Sequence, residues 1–225
     1  MTPTHFKKTL LVEDEGLTRQ ALKSLMLQSA PTLEIDEASD VDSCKASLGR
    51  GGYELLFLDY HLGGASTGLD VLRWLAEREI GVQTVMLSNH DDRETVLECI
   101  KMGAVGFISK RTERGADVFR AALDTIMQGQ IYLPNSALGR GGYSPAPLAG
   151  AKPVSLDSLG LSPRLVETLA YICQGLPNKA IARHMNLAES TVKEYSSDLL
   201  EKFGVRRRAE LIVEMARRGL VIPRS

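Results

Sequence analysis

Several side chains able to handle a charged ligand each follow a short apolar run in the first half of this chain. Glu13 and Asp14 follow Thr9-Leu10-Leu11-Val12, and Asp59 closes Leu55-Leu56-Phe57-Leu58. Ser88 follows Val85-Met86-Leu87, and Lys110 follows Gly106-Phe107-Ile108-Ser109. Three carboxylates crowded together repel one another and call for a cation. Mg²⁺ suits them, because it takes one or two carboxylates, keeps several waters and accepts phosphate oxygens. An ammonium and a hydroxyl opposite the metal complete a cradle for a phosphoryl group, which makes Asp59 a candidate phosphoacceptor. The plainer alternative is an Asp that ends a strand or caps a turn.

That chemistry requires every run to be a strand delivering its last residue to one edge. The apolar stretch before Asp59, bounded by Gly51-Gly52 and Gly63-Gly64, predicts a strand buried on both faces of a parallel sheet. In open α/β sheets ligands bind at the carboxyl ends of strands. Between the runs lie helical patterns. Leu22, Leu25 and Met26 mark a helix over 17–29, and 41–48 is another. Leu69, Leu72 and Leu75 follow Asp59, Val96, Leu97 and Ile100 follow Ser88, and Val118, Ala121, Ala122, Leu123 and Ile126 follow Lys110. With a further strand over 33–38, residues 6–128 make a doubly wound (βα)5 sheet, flavodoxin-like, in the α/β class.

From residue 130 to 157 this pattern gives way to Pro134, Gly139, Gly141-Gly142, Pro145, Pro147, Gly150 and Pro153, the composition of a linker. Beyond it four short helices are predicted. Ser162-Pro163 starts the first, which runs toward Gly175; the others span 178–185, 190–203 and 208–218, the last two followed by Gly204 and Gly219. The chain therefore divides into a first domain over 1–129, a linker over 130–157 and a small all-α domain over 158–225.

Apolar content of 44% and charged content of 24% are ordinary for a soluble chain, and no run approaches the ~20 apolar residues of a membrane span. A cytoplasmic location and no membrane partner are expected. Cys44, Cys99 and Cys173 are scattered, without a Cys-x-x-Cys pair, which argues against a disulfide framework or a zinc site. From Ser155 onward eleven basic residues face eight acidic ones, whereas the preceding part is acidic overall. A basic module joined to an acidic one fits a nucleic-acid reader attached to a regulator.

Glu13-Asp14, Asp59, Ser88 and Lys110, in this order and at these strand ends, resemble the response regulators of bacterial two-component systems. The resemblance implies a receiver in which Asp59 takes a phosphoryl group from a sensor histidine kinase. It further implies that Asp14, Asp59 and the main-chain carbonyl of His61 hold Mg²⁺, with Glu13 acting through water. Ser88 would then bind the phosphoryl oxygen, Lys110 would pair with Asp59 or its phosphate, and Phe107 would occupy the aromatic switch position. His61 and His90, each two residues beyond a site residue, flank the route by which water attacks an acyl phosphate in this family; as lone residues they also read as solvated loop histidines.

The second half resembles the NarL/LuxR-type helix-turn-helix in Gly175-Leu176-Pro177-Asn178-Lys179-Ala180-Ile181-Ala182, Ser190-Thr191-Val192-Lys193 and Lys202-Phe203-Gly204-Val205. It implies double-stranded DNA as a partner, with Lys179, Thr191, Lys193, Glu194, Ser197 and Lys202 at the interface. On a helix, Lys193, Glu194 and Ser197 share one face, suited to guanine or phosphate for the lysine and a cytosine amino group for the glutamate. Arg206-Arg207-Arg208 reads as phosphate contacts or a solvated turn. Pro177, Ala180 and Ala188 stand where the family usually has capping residues, each lost cap costing about 1 kcal/mol. Leu211, Ile212, Val213, Met215 and Ala216 give the last helix an apolar surface wider than one stripe, which predicts a homodimer on activation unless a small domain simply buries both faces.

Together these features predict a phosphorylation-controlled transcription factor rather than an enzyme. A phosphatase with an aspartyl nucleophile also begins with a strand-end Asp. Such enzymes usually carry a second Asp two residues on, where this chain has His61. A dinucleotide fold would need Gly-x-Gly-x-x-Gly after the first strand, where this chain has Glu13-Asp14-Glu15-Gly16. An output that binds protein or RNA is compatible with the fold.

Overall fold

The computed structural model describes residues 8–64, 66–110, 115–127, 130–138 and 154–221. The first unit is built from β1 (Lys8–Val12), α1 (Gly16–Ser29), β2 (Glu34–Ala38), α2 (Val41–Gly49), β3 (Leu55–Asp59) and α3 (Gly68–Arg78). It continues with β4 (Gln83–Ser88), α4 (Arg93–Lys101), β5 (Gly106–Ser109) and α5 (Gly115–Met127). All five strands pair in parallel, in the order β2-β1-β3-β4-β5. The central β3 is buried along its whole length, as four apolar residues between glycine pairs require. One face of the sheet packs Leu10, Leu56, Leu58 and Met86 under α2, α3 and α4; the other packs Leu11, Phe57, Val85 and Leu87 under α1 and α5.

The packing of this unit continues past residue 129. Ile131 and Leu133 are buried, the amide of Phe107 donates to the Tyr132 carbonyl (2.9 Å), and α6 (Asn135–Leu138) lies against α4. The coil expected over 130–157 is thus shortened at both ends, because alternating apolar residues at 131 and 133 extend the core, and Val154–Ser155 (β6) pairs with Leu220–Val221 (β7). The glycine- and proline-rich residues 139–153 lie outside the described residues.

The second unit begins with β6, followed by a 3-10 turn over Leu156–Leu159. It is followed by α7 (Pro163–Cys173), α8 (Asn178–Met185), α9 (Glu189–Lys202) and α10 (Arg208–Arg218). Leu169, Ile172, Ile181, Val192, Leu199, Leu211, Ile212 and Met215 form its core. The missing caps are observed: α8 is preceded by Pro177 and α9 by Ala188, neither offering a side-chain acceptor. The two units touch. α10 packs on α4 and α6, and Gln130 donates to the Gly219 carbonyl (3.1 Å). The main chains of Gly103 and Gly175 also meet, so closely that a Cβ on Gly175 would lie 2.5 Å from the Gly103 carbonyl oxygen. The wide apolar surface of α10 is therefore covered within this chain, by α7 and α9 of its own unit and by α4 and α6 of the first, with Leu211, Ile212 and Met215 fully buried and Val213 half-buried.

Candidate functional site

The sheet order places β1, β3, β4 and β5 side by side, so their carboxyl ends converge. Glu13, Asp14 and Asp59 each offer a carboxylate oxygen within 4.8 Å of the others. Glu13 and Asp59 are buried and Asp14 is exposed at the mouth. Lys110 arrives from β5 and places its Nζ 2.8 Å from Asp59 Oδ2 and 2.9 Å from Glu13 Oε2. Burial alone would lower the Lys110 pKa, but its hydrogen bonds to Asp59 and Glu13 outweigh that and hold it raised. Burial pushes the Glu13 carboxyl above its ordinary value, and repulsion from Asp59 adds to this. One lysine therefore leaves the acid rim short of positive charge. Asp59 Oδ1 is also buried and has no hydrogen-bond partner. An all-oxygen donor set with an orphaned carboxylate oxygen fits a hard divalent cation.

Local structure fixes this geometry. The loop after β3 is closed by a bridge between His61 and Thr67 and by the Gly68 amide donating to the Tyr60 carbonyl (2.8 Å). Gly68 starts α3 hard against the site: a Cβ there would lie 2.5 Å from the Asp59 carbonyl oxygen, so only glycine fits. Gly63, at φ +74°, turns the loop so that it abuts Asp14 Oδ2. Ser88 is buried at the end of β4, its Oγ accepting from the His90 amide (3.0 Å), which leaves its hydroxyl proton to donate elsewhere. His61 and His90 are exposed, their rings 6.0 Å apart. Phe107 sits in the core beneath the rim rather than on it.

Sequence reasoning passed over Arg19. From α1 its Nη1 donates to the Glu13 carbonyl (2.6 Å) and its Nε to Glu37 Oε2 (3.1 Å), while Lys23 donates to the other Glu37 oxygen. Hydrogen bonding from Lys23, followed by Arg19, holds the Glu37 carboxyl below its ordinary range. Arg19 thereby ties the peptide between Glu13 and Asp14 to the edge strand. Its spacing from Glu37 carries no periodic signal, so only the fold reveals the pair.

On the second unit, Lys193, Glu194 and Ser197 lie exposed on α9, with Lys193 Nζ 2.8 Å from Glu189. Thr191 is half-buried. Lys202 is exposed and donates to the Gly160 carbonyl (3.2 Å). Lys179, on α8, is paired with Glu79 at the end of α3 (2.7 Å). Of the three consecutive arginines only Arg206 and Arg207 are exposed. Arg208 turns inward, its Nη2 donating to the carbonyls of Ile172 (3.0 Å) and Leu176 (2.7 Å), so the expectation of a phosphate contact or solvated turn fails there. Burial lowers its pKa to about 10, which leaves it charged at neutral pH. Cys44, Cys99 and Cys173 are buried, and burial pushes each thiol up to about 12, so they behave as small apolar core residues. Among the described residues no helix is long and apolar enough to cross a membrane.

Comparison with known proteins accounts for both units. Residues 9–121 match the family described as the response regulator receiver domain, and residues 159–215 match the bacterial regulatory proteins of the luxR family. A glycerol metabolism activator of Pseudomonas putida is 31% identical over 92% of this chain and 93% of its own length. The DNA-binding transcriptional activator DevR/DosR of Mycobacterium tuberculosis is 32% identical over 92% of both chains. The nitrate/nitrite response regulator protein NarL of Escherichia coli is 29% identical over 91% of this chain and 92% of that protein. Among solved structures, the Salmonella typhimurium RcsB response regulator covers 94% of this chain and 98% of its own, with a TM-score of 0.52 at 14% identity, a likeness of fold.

Proposed function

We propose, because the chain belongs to the two-component response regulators with a LuxR-family DNA-binding output, that Asp59 accepts a phosphoryl group from a sensor histidine kinase and that the phosphorylated chain binds operator DNA as a dimer. The two working units on this reading are a receiver over 1–129 and a DNA-binding head over 158–225, joined by the intervening linker. The observation that carries the reading is the buried Asp59 carboxylate, with Oδ2 on Lys110 and Oδ1 unpartnered, at the carboxyl edge of a parallel sheet.

In the transfer, a bond from the Asp59 carboxylate to phosphorus forms as the P–N bond of the donor phosphohistidine breaks and its electron pair returns to the imidazole. Lys110 offsets charge on the acceptor, and Ser88 donates its hydroxyl to a phosphoryl oxygen. Mg²⁺, when bound by Asp14, Asp59 and the His61 main-chain carbonyl with Glu13 acting through water, supplies positive charge against the phosphoryl oxygens. Once the Ser88 hydroxyl is engaged, the strand it ends can shift, and Phe107 on the neighbouring β5 follows. That movement reaches Val105 and Ile100, where Val105 lies beside Gly175 of the head and α4 packs on α10. Separation would free the face of α10 around Val213 for a second copy and leave Thr191, Lys193, Glu194, Ser197, Lys179 and Lys202 to meet DNA.

Arg19 is assigned the role of holding the acid pair in register for the metal. Arg19→Met is expected to weaken Mg²⁺ binding by about 10-fold, the lower end for a group orienting metal ligands from behind. Isothermal titration with Mg²⁺ checks this, and an unchanged affinity removes Arg19 from the site.

The whole reading is tested by footprinting and light scattering with and without a phosphoryl mimic. Wild type should gain mass and operator affinity together. Val213→Arg should stay monomeric, and Lys193→Ala should lose about 1–3 kcal/mol of binding if Lys193 meets a base edge. A uniform loss across DNA sequences, with a shallower salt dependence, would make Lys193 a phosphate contact instead. Equal mass and equal affinity in every sample would overturn control of assembly by phosphorylation.

A further inference from the structure

Glu79 stands immediately after α3, and both of its carboxylate oxygens are taken by the head: Oε1 by Lys179 Nζ at 2.7 Å and Oε2 by Arg183 Nη1. The two cations lie one turn apart on α8, and their side chains remain about two-thirds exposed, at 60% and 66%, while that of Glu79 is 12% exposed. The Lys179 hydrogen bond, with the attraction of Arg183, holds the Glu79 carboxyl below its ordinary range. Glu79 also occupies the left-handed region, at φ 57° and ψ 31°, where a helix end ordinarily places glycine at no steric cost. A glutamate thus stands at a position whose backbone disfavours it, and its side chain reaches across to the other unit.

The base-reading candidates are not what this arrangement hides, since Lys193, Glu194 and Ser197 remain exposed on α9. What the receiver occupies is a pair of cations converging on the two oxygens of one anion. A lysine and an arginine fork aimed at adjacent oxygens suit a phosphate as well as a carboxylate. Phosphate contacts supply the sequence-independent share of DNA affinity and set the register of a head on the duplex.

We propose that Lys179 and Arg183 form one anion clamp with two alternative occupants, the Glu79 carboxylate in the closed chain and a DNA backbone phosphate when the units part, so that receiver and DNA compete directly for α8. This rests on the reading of the head as a DNA-binding module, extends the interface to Arg183, and gives Glu79 the part of an internal phosphate mimic.

The test measures DNA affinity against salt for the full-length chain, with and without a phosphoryl mimic. In the unphosphorylated state Glu79→Gln, which keeps the shape, and Glu79→Gly, which suits the left-handed backbone, should each bind DNA about 10-fold or more tightly than wild type. Two recovered phosphate contacts per head should steepen the slope of log affinity against log salt by roughly 2. With the mimic, wild type and both variants should converge. With the mimic, Lys179→Gln with Arg183→Gln should weaken binding and flatten the salt slope, and adding Glu79→Gln to that pair should then change nothing in either state. Wild-type affinity and slope in both Glu79 variants, while wild type with the mimic binds DNA, would overturn the clamp alone. Absence of DNA binding from every sample would overturn the DNA-binding reading and the clamp with it.

Discussion

Given a small phosphodonor and Mg²⁺, wild-type protein is expected to take up one phosphoryl group and Asp59→Asn none. The substitution keeps shape and volume and removes only the nucleophilic charge, so the prediction isolates chemistry from packing. Neighbouring carboxylates are poor substitutes. Glu13 is tied by Lys110 and pushed toward its neutral form, and Asp14 is exposed at the mouth without the lysine. Phosphate incorporation followed by mass spectrometry should fall at least 100-fold, to the level of a chelated wild-type sample; full labelling of the variant would sink the assignment. Folding supplies the control. The raised Glu13 value means that its proton is held more tightly folded than unfolded. Metal-free wild type therefore loses stability as pH rises from the ordinary carboxylate range through that raised value. Part of the rise comes from Asp59, so Asp59→Asn should show a flatter pH dependence and no loss of fold.

Arg208→Met should be the most damaging single change in the head. The methionine keeps an apolar stem of similar reach but removes a guanidinium that closes the C-terminal end of α7, where the Ile172 and Leu176 carbonyls have their charged donor. Charge-assisted hydrogen bonds contribute about 1.5–3 kcal/mol each, and although the Ile172 carbonyl keeps the Gly175 amide (3.0 Å), both carbonyls lose their charged donor, so a loss of about 3 kcal/mol is expected. Arg208 also approaches Asn178 Oδ1, which accepts from Ser196 Oγ at 3.4 Å, so one side chain links the α7–α8 turn to α9. The head has little else to fall back on, since neither α8 nor α9 has a side-chain cap. Denaturant unfolding, with hydrogen exchange resolving head amides from receiver amides, measures the effect. A loss under about 1 kcal/mol would mean that water replaces the guanidinium.

The parts legible in the sequence were those set by local pattern. Apolar runs marked β1, β3, β4 and β5, and the residue closing each run was delivered to the rim, because parallel strands with crossover helices leave their carboxyl ends no other edge. The bounds of α8 and α10 fell where Asn178, Met185 and Gly219 placed them. What escaped was long-range. Arg19 meets Glu37 across a strand, Arg208 reaches back 36 residues to Ile172, and Glu79 meets α8 across 100 residues or more. A charge on a helix surface looks the same in one dimension whether it faces water or a carbonyl, which is why three successive arginines read alike although one of them turns inward. The breadth of the α10 apolar face was visible, but not its cover, because α4 carries its own amphipathic pattern and nothing local says what that pattern faces.

The first unit ends its described packing at α6, and the second begins at Val154, so a covalent tether of residues 139–153 separates two surfaces that meet through paired glycines, a few side-chain bonds and α10. A tether that short presents each surface to the other at an effective concentration of order millimolar. A contact with only millimolar intrinsic affinity is therefore enough to keep the chain about half closed, and severed halves mixed at micromolar concentration should show no association at all. The same arithmetic makes the interface a tunable set point. Each tenfold change in its intrinsic affinity, about 1.4 kcal/mol, shifts the resting balance tenfold, so single substitutions along it can reset the dose of phosphoryl donor at which the regulator responds without touching either Asp59 or α9.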